Sequence, residues 1–336
     1  MSEKIPFQEK FVTQLKMMVA SNINLADELA DMLNISTDSV YRRLRGQSAF
    51  SIDEVGIIAE KFDIPMESIF SNSKQQASFN FNRLYSNANN FIEYLGWYAD
   101  YLSSLTAVPG TRIIYAADDV PVLRHFNFHY LAAFKAFYWS KAVLNIDYLP
   151  NQKFNLEAIP KDLVELNKKT AAVYSKLDCT EIWTNETLTS TLKQVQYYWE
   201  CNFFESNADA LLVLADIRQM LNQMNKECEQ NDQEGRERIG HFMLYNSDVM
   251  IGNNCVLIEP GNSQLPKRVF LGYNTFNTLS TKDDAFIDET SLWMNNLIKK
   301  SILLTGSGEK QRSIFFRKME EKLSALEKSI TDAVDS

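Results

Sequence analysis

Apolar positions recur every three or four residues through most of this chain, and strand-like runs are confined to its middle and its last hundred residues. The helical periods are shortest at the start. Phe7, Phe11, Leu15 and Met18 mark one amphipathic helix, and Leu25, Leu29 and Leu33, with Ala30 beside them, mark a second capped by Asn24. Asn34 can take the left-handed conformation that ends such a helix, and Ile35 plugs the turn. Ser36 is placed to cap a third helix on which Val40 and Leu44 form the inward stripe. Ser51 and Glu54 have capping-box spacing ahead of a fourth, with Val55, Ile58 and Ala59 apolar. Phe62, Ile64, Met66 and Ile69-Phe70 then close a small all-helical unit.

Beyond residue 70 the texture changes. Residues 71–90 are rich in Ser, Asn and Gln and read as a linker, although Phe79-Asn-Phe-Asn has strand character. Phe91–Leu105 predicts an aromatic-rich helix stopped by Pro109-Gly110, and Thr111–Ala116 predicts a strand. Asp118-Asp119 lead a helix over Val120–Leu144, and Pro160–Glu229 reads as three further helices. His241–Ile251, Cys255–Glu259 and Arg268–Thr275 are strand-like, with turn signals at Gly252-Asn253-Asn254 and Pro260-Gly261-Asn262. Thr290–Leu303 and Glu309–Asp332 are helical again. The expected fold is therefore an N-terminal all-α helix-turn-helix domain plus a larger, mostly helical α+β domain with a small antiparallel sheet. The expected boundaries are 1–70, a linker at 71–90, and 91–336. On the last helix Phe316, Met319, Leu323, Leu326, Ile330 and Ala333 form a heptad seam, which suits either its own domain or a second copy.

The turn between the second and third helices is the pattern of a helix-turn-helix. With Val40 and Leu44 inward, Asp38, Arg42 and Arg45 point away, and Thr37, Ser39, Tyr41 and Arg43 lie on the flanks. These seven are the candidate DNA-binding residues. The start of such a helix, and the turn after it, reach base edges in the major groove. Arg42 is placed to donate a bidentate pair to guanine, and Tyr41, Arg43 and Arg45 suit phosphates. Residues 24–70 resemble the lambda-repressor-like (XRE-type) DNA-binding domain. The resemblance rests on Leu29-Ala30-Asp31-Met32-Leu33, Ile35-Ser36, Val40-Tyr41-Arg42-Arg43-Leu44-Arg45-Gly46, and Ser51-Ile52-Asp53-Glu54 leading to Phe62-Asp63-Ile64-Pro65. It implies transcriptional regulation through dimeric binding to a two-fold operator. The chain departs from that family with Leu25-Ala26 where Gln is frequent, Asn34 where Gly is common, and Leu44 where Glu is frequent.

Charge tempers the resemblance. The chain of 336 residues carries a formal net charge of -9, which argues against a protein that coats nucleic acid. Residues 1–75 hold eight basic and eleven acidic side chains, a net of -3. Phosphate neutralisation by one copy is therefore modest, and a homodimer on double-stranded DNA is expected. The four cysteines form no Cys-x-x-Cys pair, the N-terminus is polar, and no run approaches the ~20 apolar residues of a membrane span. Reduced thiols in a cytoplasmic protein, with no membrane partner, are the expectation.

Little else suggests chemistry. His125 and His129 are one helical turn apart, a spacing that can hold a metal, but two ordinary helix histidines are the favoured reading. Asp118 and Asp119 read as helix caps rather than an acid pair, and Gly306-Ser-Gly-Glu-Lys310 as a turn with Ser307 capping the last helix. No catalytic signature is found, so neither enzyme activity, cofactor nor metal is expected. Aromatic clusters such as Trp97-Tyr98, Phe137-Tyr138-Trp139 and Tyr197-Tyr198-Trp199 fit either interhelical core or the walls of a site for a small, largely apolar ligand. The rival to a DNA-binding regulator is a protein–protein adaptor whose helical module does not bind DNA; a second rival is an enzyme in the larger domain.

Overall fold

The computed structural model describes residues 7–19, 24–62, 64, 66, 69, 76–83, 88–143, 152–156, 161–230, 238–261, 265–275 and 277–333. The chain divides into two units, Met1–Ser78 and Phe79–Ser336.

In the first unit α1 spans Phe7–Met18, α2 Leu25–Leu33, α3 Thr37–Leu44 and α4 Ile52–Lys61. Phe11, Leu15, Leu29, Val40 and Ile58 are fully buried and form one core, with Ala26, Ala30 and Val55 around them. The small Ala30 and Ala26 let α2 and α3 approach closely.

The second unit is larger than the pattern suggested in one respect, its sheet. Eight strands lie in the order β1-β7-β6-β5-β2-β3-β4-β8. They are β1 (Asn80–Phe81), β2 (Arg112–Ala116), β3 (Asp178–Trp183), β4 (Phe242–Asn246), β5 (Cys255–Glu259), β6 (Arg268–Tyr273), β7 (Asn277–Thr281) and β8 (Ile302–Leu303). The sheet is mixed, not small and antiparallel: β2-β3 and β3-β4 pair parallel, and the rest antiparallel. Parallel neighbours need long crossovers, and the helical block supplies them. Between β2 and β3 run α6 (Val122–His125), α7 (His129–Tyr138, extended by a π-turn at Trp139–Val143) and α8 (Lys161–Tyr174). Between β3 and β4 run α9 (Thr189–Glu200) and α10 (Asn207–Gln230). The linker expectation at 71–90 includes β1, which pairs with β7.

Alternation along the strands sorts the core into two layers. Ile113, Tyr115, Phe242, Ile258 and Phe270 face α5 (Ala88–Thr106), α7–α10 and the last helix α12 (Glu309–Asp332). Ile114, Ala116, Ile182, Leu257 and Val269 face α11 (Asp284–Lys299) through Ile287, Met294 and Leu297. On α12 the buried stripe is Phe315, Met319, Leu323, Leu326 and Ile330, which joins the first layer. The seam is thus occupied within the unit, with α12 lying along α10. Its cap is Gly308 with no side-chain acceptor, not Ser307.

One buried ionic cluster ties this layer together. The guanidinium of Arg124, on α6, donates to Glu181 Oε1 at 2.8 Å and to Glu227 Oε2 at 2.6 Å. Glu181 also accepts from the Tyr174 hydroxyl at 2.7 Å and the Trp183 indole at 2.8 Å. Burial alone would raise the Glu227 carboxyl, but Arg124, and then Arg238, hold it below the ordinary carboxylate range.

Removing one partner of such a cluster strands the others as buried charges. Arg124→Leu should destabilise the larger unit by ~3–5 kcal/mol in urea unfolding of the full chain. Arg218→Ala, which breaks half-exposed pairs to Glu320 and Glu327, should cost at most ~1 kcal/mol. The acid response should differ too. A depressed carboxyl stabilises above its unfolded value, ~4.3, and that stability is lost as pH falls through the folded value. Acidification should therefore weaken the wild type, whereas Arg124→Leu should lose less as pH falls, because Glu227 no longer has the Arg124 charge that holds its carboxyl down.

Candidate nucleic-acid interface

The recognition-like helix is set by two local devices. Asn34 ends α2 at φ 51° and ψ 48°, and the following Ile35 N–H donates back to the Ala30 carbonyl at 3.1 Å. Asn tolerates this left-handed conformation through its short polar side chain. Ser36 then caps α3, its hydroxyl accepting from the Ser39 N–H at 3.3 Å. Asn24 stands at the start of α2 without a side-chain cap bond; its carbonyl takes the first helical hydrogen bonds.

Of the seven candidate residues, five present themselves outward or at the rim. Asp38, Tyr41, Arg42 and Arg45 are exposed and Thr37 is half-buried at the helix start. Arg42 reaches back one turn to Asp38 at 3.1 Å, an exposed pair that water and salt screen. The Arg45 guanidinium lies 5.7 Å from the Tyr41 ring centroid. These four side chains form a continuous exposed strip along α3.

The other two are engaged within the unit. Ser39 Oγ lies 2.8 Å from Ser36 Oγ, so it belongs to the cap. Arg43, read as suited to a phosphate, pairs with Glu54 through Nη2 at 3.1 Å and Nε at 3.3 Å. The reason lies in helix geometry. At 100° per residue Arg43 sits about 60° from the buried Val40, so its side chain runs along the packed side of α3 toward α4. Glu54 closes the α4 capping box at the same time, accepting from the Ser51 N–H at 2.8 Å. One carboxylate therefore fixes both the α4 N-terminus and the α3 flank.

A residue absent from the candidate set completes this frame. Gln8, on α1, donates to the Arg43 carbonyl at 2.9 Å and the Ser48 carbonyl at 2.7 Å, and accepts from the Phe50 N–H at 3.1 Å. It satisfies three backbone groups where α3 turns into α4. A glutamine at an otherwise ordinary helix position gives no sequence signal for this, since its partners lie about forty residues away.

The other chemistry the sequence singled out lies in the larger unit. His125 ends α6 and His129 begins α7, so they do not share one helix face. Among the described residues no cluster of three or more His, Cys, Asp or Glu could hold a metal. Asp119 caps no helix: its carboxylate accepts from the Val120 N–H and the Thr191 hydroxyl and faces Lys135 at 3.4 Å. Among the described residues no helix is long and apolar enough to cross a membrane.

Residues 5–86 match the family model described as the BetR domain, a helix-turn-helix-type DNA-binding domain. No curated protein and no solved structure shows significant similarity to the chain.

Substitutions at three positions separate frame from strip. At Asn34 glycine should be tolerated, whereas valine should cost ~1–2 kcal/mol by the left-handed strain. Arg43→Ala should raise amide exchange across the α3–α4 junction, because Glu54 loses its partner, while Arg42→Ala should leave exchange there unchanged.

Proposed function

We propose that the chain is a sequence-specific transcriptional regulator of the lambda-repressor-like kind. It binds double-stranded DNA as a cytoplasmic homodimer through the first unit. The second unit dimerises, receives a signal in the form of a small, largely apolar ligand, and carries no enzymatic activity. The observation that supports this most is the exposed strip of Asp38, Tyr41, Arg42 and Arg45 on α3, within a segment matched by a helix-turn-helix family model.

In this reading Arg42 gives up its exposed pair with Asp38 and donates both terminal nitrogens to guanine. Asp38, freed, is an acceptor suited to a cytosine amino group on the same strip. Arg45 and Tyr41 hold phosphates and set the register. Two arginines on α3 release few counterions, so a single copy binds weakly and two copies are needed at physiological salt. The adaptor reading draws on the acidic balance of residues 1–75, and a module that binds no DNA at low salt would favour it.

Selection from random DNA with the purified full chain should return a two-fold site. On that site Arg42→Ala should lose ~1–3 kcal/mol of discrimination at one base pair. Arg45→Ala should weaken all sequences about equally and lower the salt slope by about one. No retained DNA at low salt, or two substitutions without effect, would sink the regulator reading.

Assembly is tested separately. Residues 79–336 should sediment as a dimer, and a monomer at micromolar concentration would contradict the proposal. Leu323 and Leu326 are unsuitable probes of the interface, because both are buried in the core of their own unit. Glutamate at either position would unfold the unit instead.

A further inference from the structure

His125 is buried to 1% exposure, yet neither ring nitrogen has a hydrogen-bond partner among the described residues. Leaving a buried donor and a buried acceptor unmet is costly, because each has given up its hydrogen bond to water. The imidazole borders a cavity of about 100 Å³ inside the larger unit. The walls are Tyr98 and Leu102 from α5, Ile113 and Phe270 from the sheet, and Phe126 and Trp139 beside His125. Lys135 and Asp119 also line the cavity, and both are already committed. Lys135 Nζ donates to Gln194 Oε1 at 2.9 Å and faces the Asp119 carboxylate at 3.4 Å. Among the described residues that border this cavity, His125 is a buried side chain with both of its polar atoms unmet.

The chemistry of the missing partner follows from these groups. Burial, and then the positive charge of Lys135, hold the imidazole well below its ordinary value, so it is neutral and offers one N–H and one lone pair. A carboxylate would have to be desolvated among aromatic rings and would meet Asp119, whose charge Lys135 already balances. A cation would meet Lys135. Water alone is a poor filling, because most of the lining surface is aromatic and aliphatic and offers it no partner. Size sets the other bound. An apolar cavity of about 150 Å³ accommodates benzene, so about 100 Å³ holds roughly four heavy atoms as it stands, and a ring of phenol size requires the walls to open by about half that volume again.

We propose that this cavity binds a small neutral aromatic compound carrying one hydroxyl or carbonyl head, of phenol size, with the head on His125 and the ring between α5 and the sheet. The proposal rests on reading the larger unit as the part that receives a signal, and it names the chemical class of that signal. Tyr98 helps shape the site: its hydroxyl is bonded to the Thr278 hydroxyl at 2.7 Å, which leaves its ring face as wall.

The test uses the full chain and three probes, phenol, benzene and benzoate, by calorimetry and thermal shift. Phenol should bind saturably and raise the melting temperature; benzene should bind at least tenfold more weakly, and benzoate not at all. His125→Phe keeps the burial and removes the head-group partner, so it should bind phenol at least tenfold more weakly and benzene no worse than wild type does. In wild-type protein with ¹⁵N-labelled histidine, phenol should shift the His125 ring nitrogens, a readout that does not depend on the variant folding. Three results would each overturn the site: no saturable binding of any probe, preference for benzoate, or phenol binding that leaves the His125 nitrogens unmoved. Coupling is read in a separate arm, the affinity for DNA with and without saturating phenol. Phenol bound on His125 with unchanged DNA affinity would uphold the site and remove the signal-receiving role.

Discussion

Arg124 keeps its charge at any pH a protein meets, and it sits where water cannot reach it, so the larger unit must answer that charge from within. The answers come from distant parts of the chain: Glu181 from β3 and Glu227 from α10. The ring of Phe242, on β4, lies 4.3 Å from the guanidinium carbon, and Tyr174, at the end of α8, supplies its hydroxyl to Glu181. Five elements thus meet at one side chain. The constraint also sets register. A slip of β3 by one residue would turn Glu181 to the α11 face and leave Arg124 unanswered, at a cost far above that of exchanging two aliphatic residues. The parallel β2-β3-β4 core and its two helical crossovers are arranged so that this cluster closes.

The same cluster explains what the sequence did not disclose. Asp178–Trp183 places an acid in the middle of a strand buried on both faces, so neither alternation nor a continuous apolar run marks it. With β3 unseen, the helices on either side of it read as one block rather than as two crossovers, and the sheet read as antiparallel. The first unit was legible for the opposite reason. Its signals are local: Asn34 at the turn, Ser36 three residues before Ser39, Ser51 three before Glu54. Caps and turns act over a few residues, and a single sequence carries them in full. Arg43 marks the limit of that locality. Its place beside Val40 on the helix was readable, but its partner Glu54 lies on another helix.

The last helix teaches a similar lesson. Its heptad spacing fixes which side chains share a face, but not what covers the face. In the structure α10 and the core cover it, and the burial moves the stripe from Phe316 to Phe315. The spacing of an amphipathic helix therefore constrains its own geometry and leaves its partner open.

These two kinds of interaction bear on the proposed regulation. With Arg43 held by Glu54, the cations exposed along α3 and its cap are Arg42 and Arg45, and Arg42 is itself paired with Asp38, in a unit whose residues 1–75 carry a net charge of -3. Electrostatic affinity per copy is therefore small, and occupancy depends on how two copies are held together. A reader in that regime is sensitive to modest energies. A ligand coupling of ~1–3 kcal/mol, which would barely change the occupancy of a strongly basic binder already saturated, moves a marginal one across its half-occupied point. In the proposed regulation, the acidic balance that argues against tight binding by one module becomes the condition that would let a small signal decide whether a dimer holds DNA.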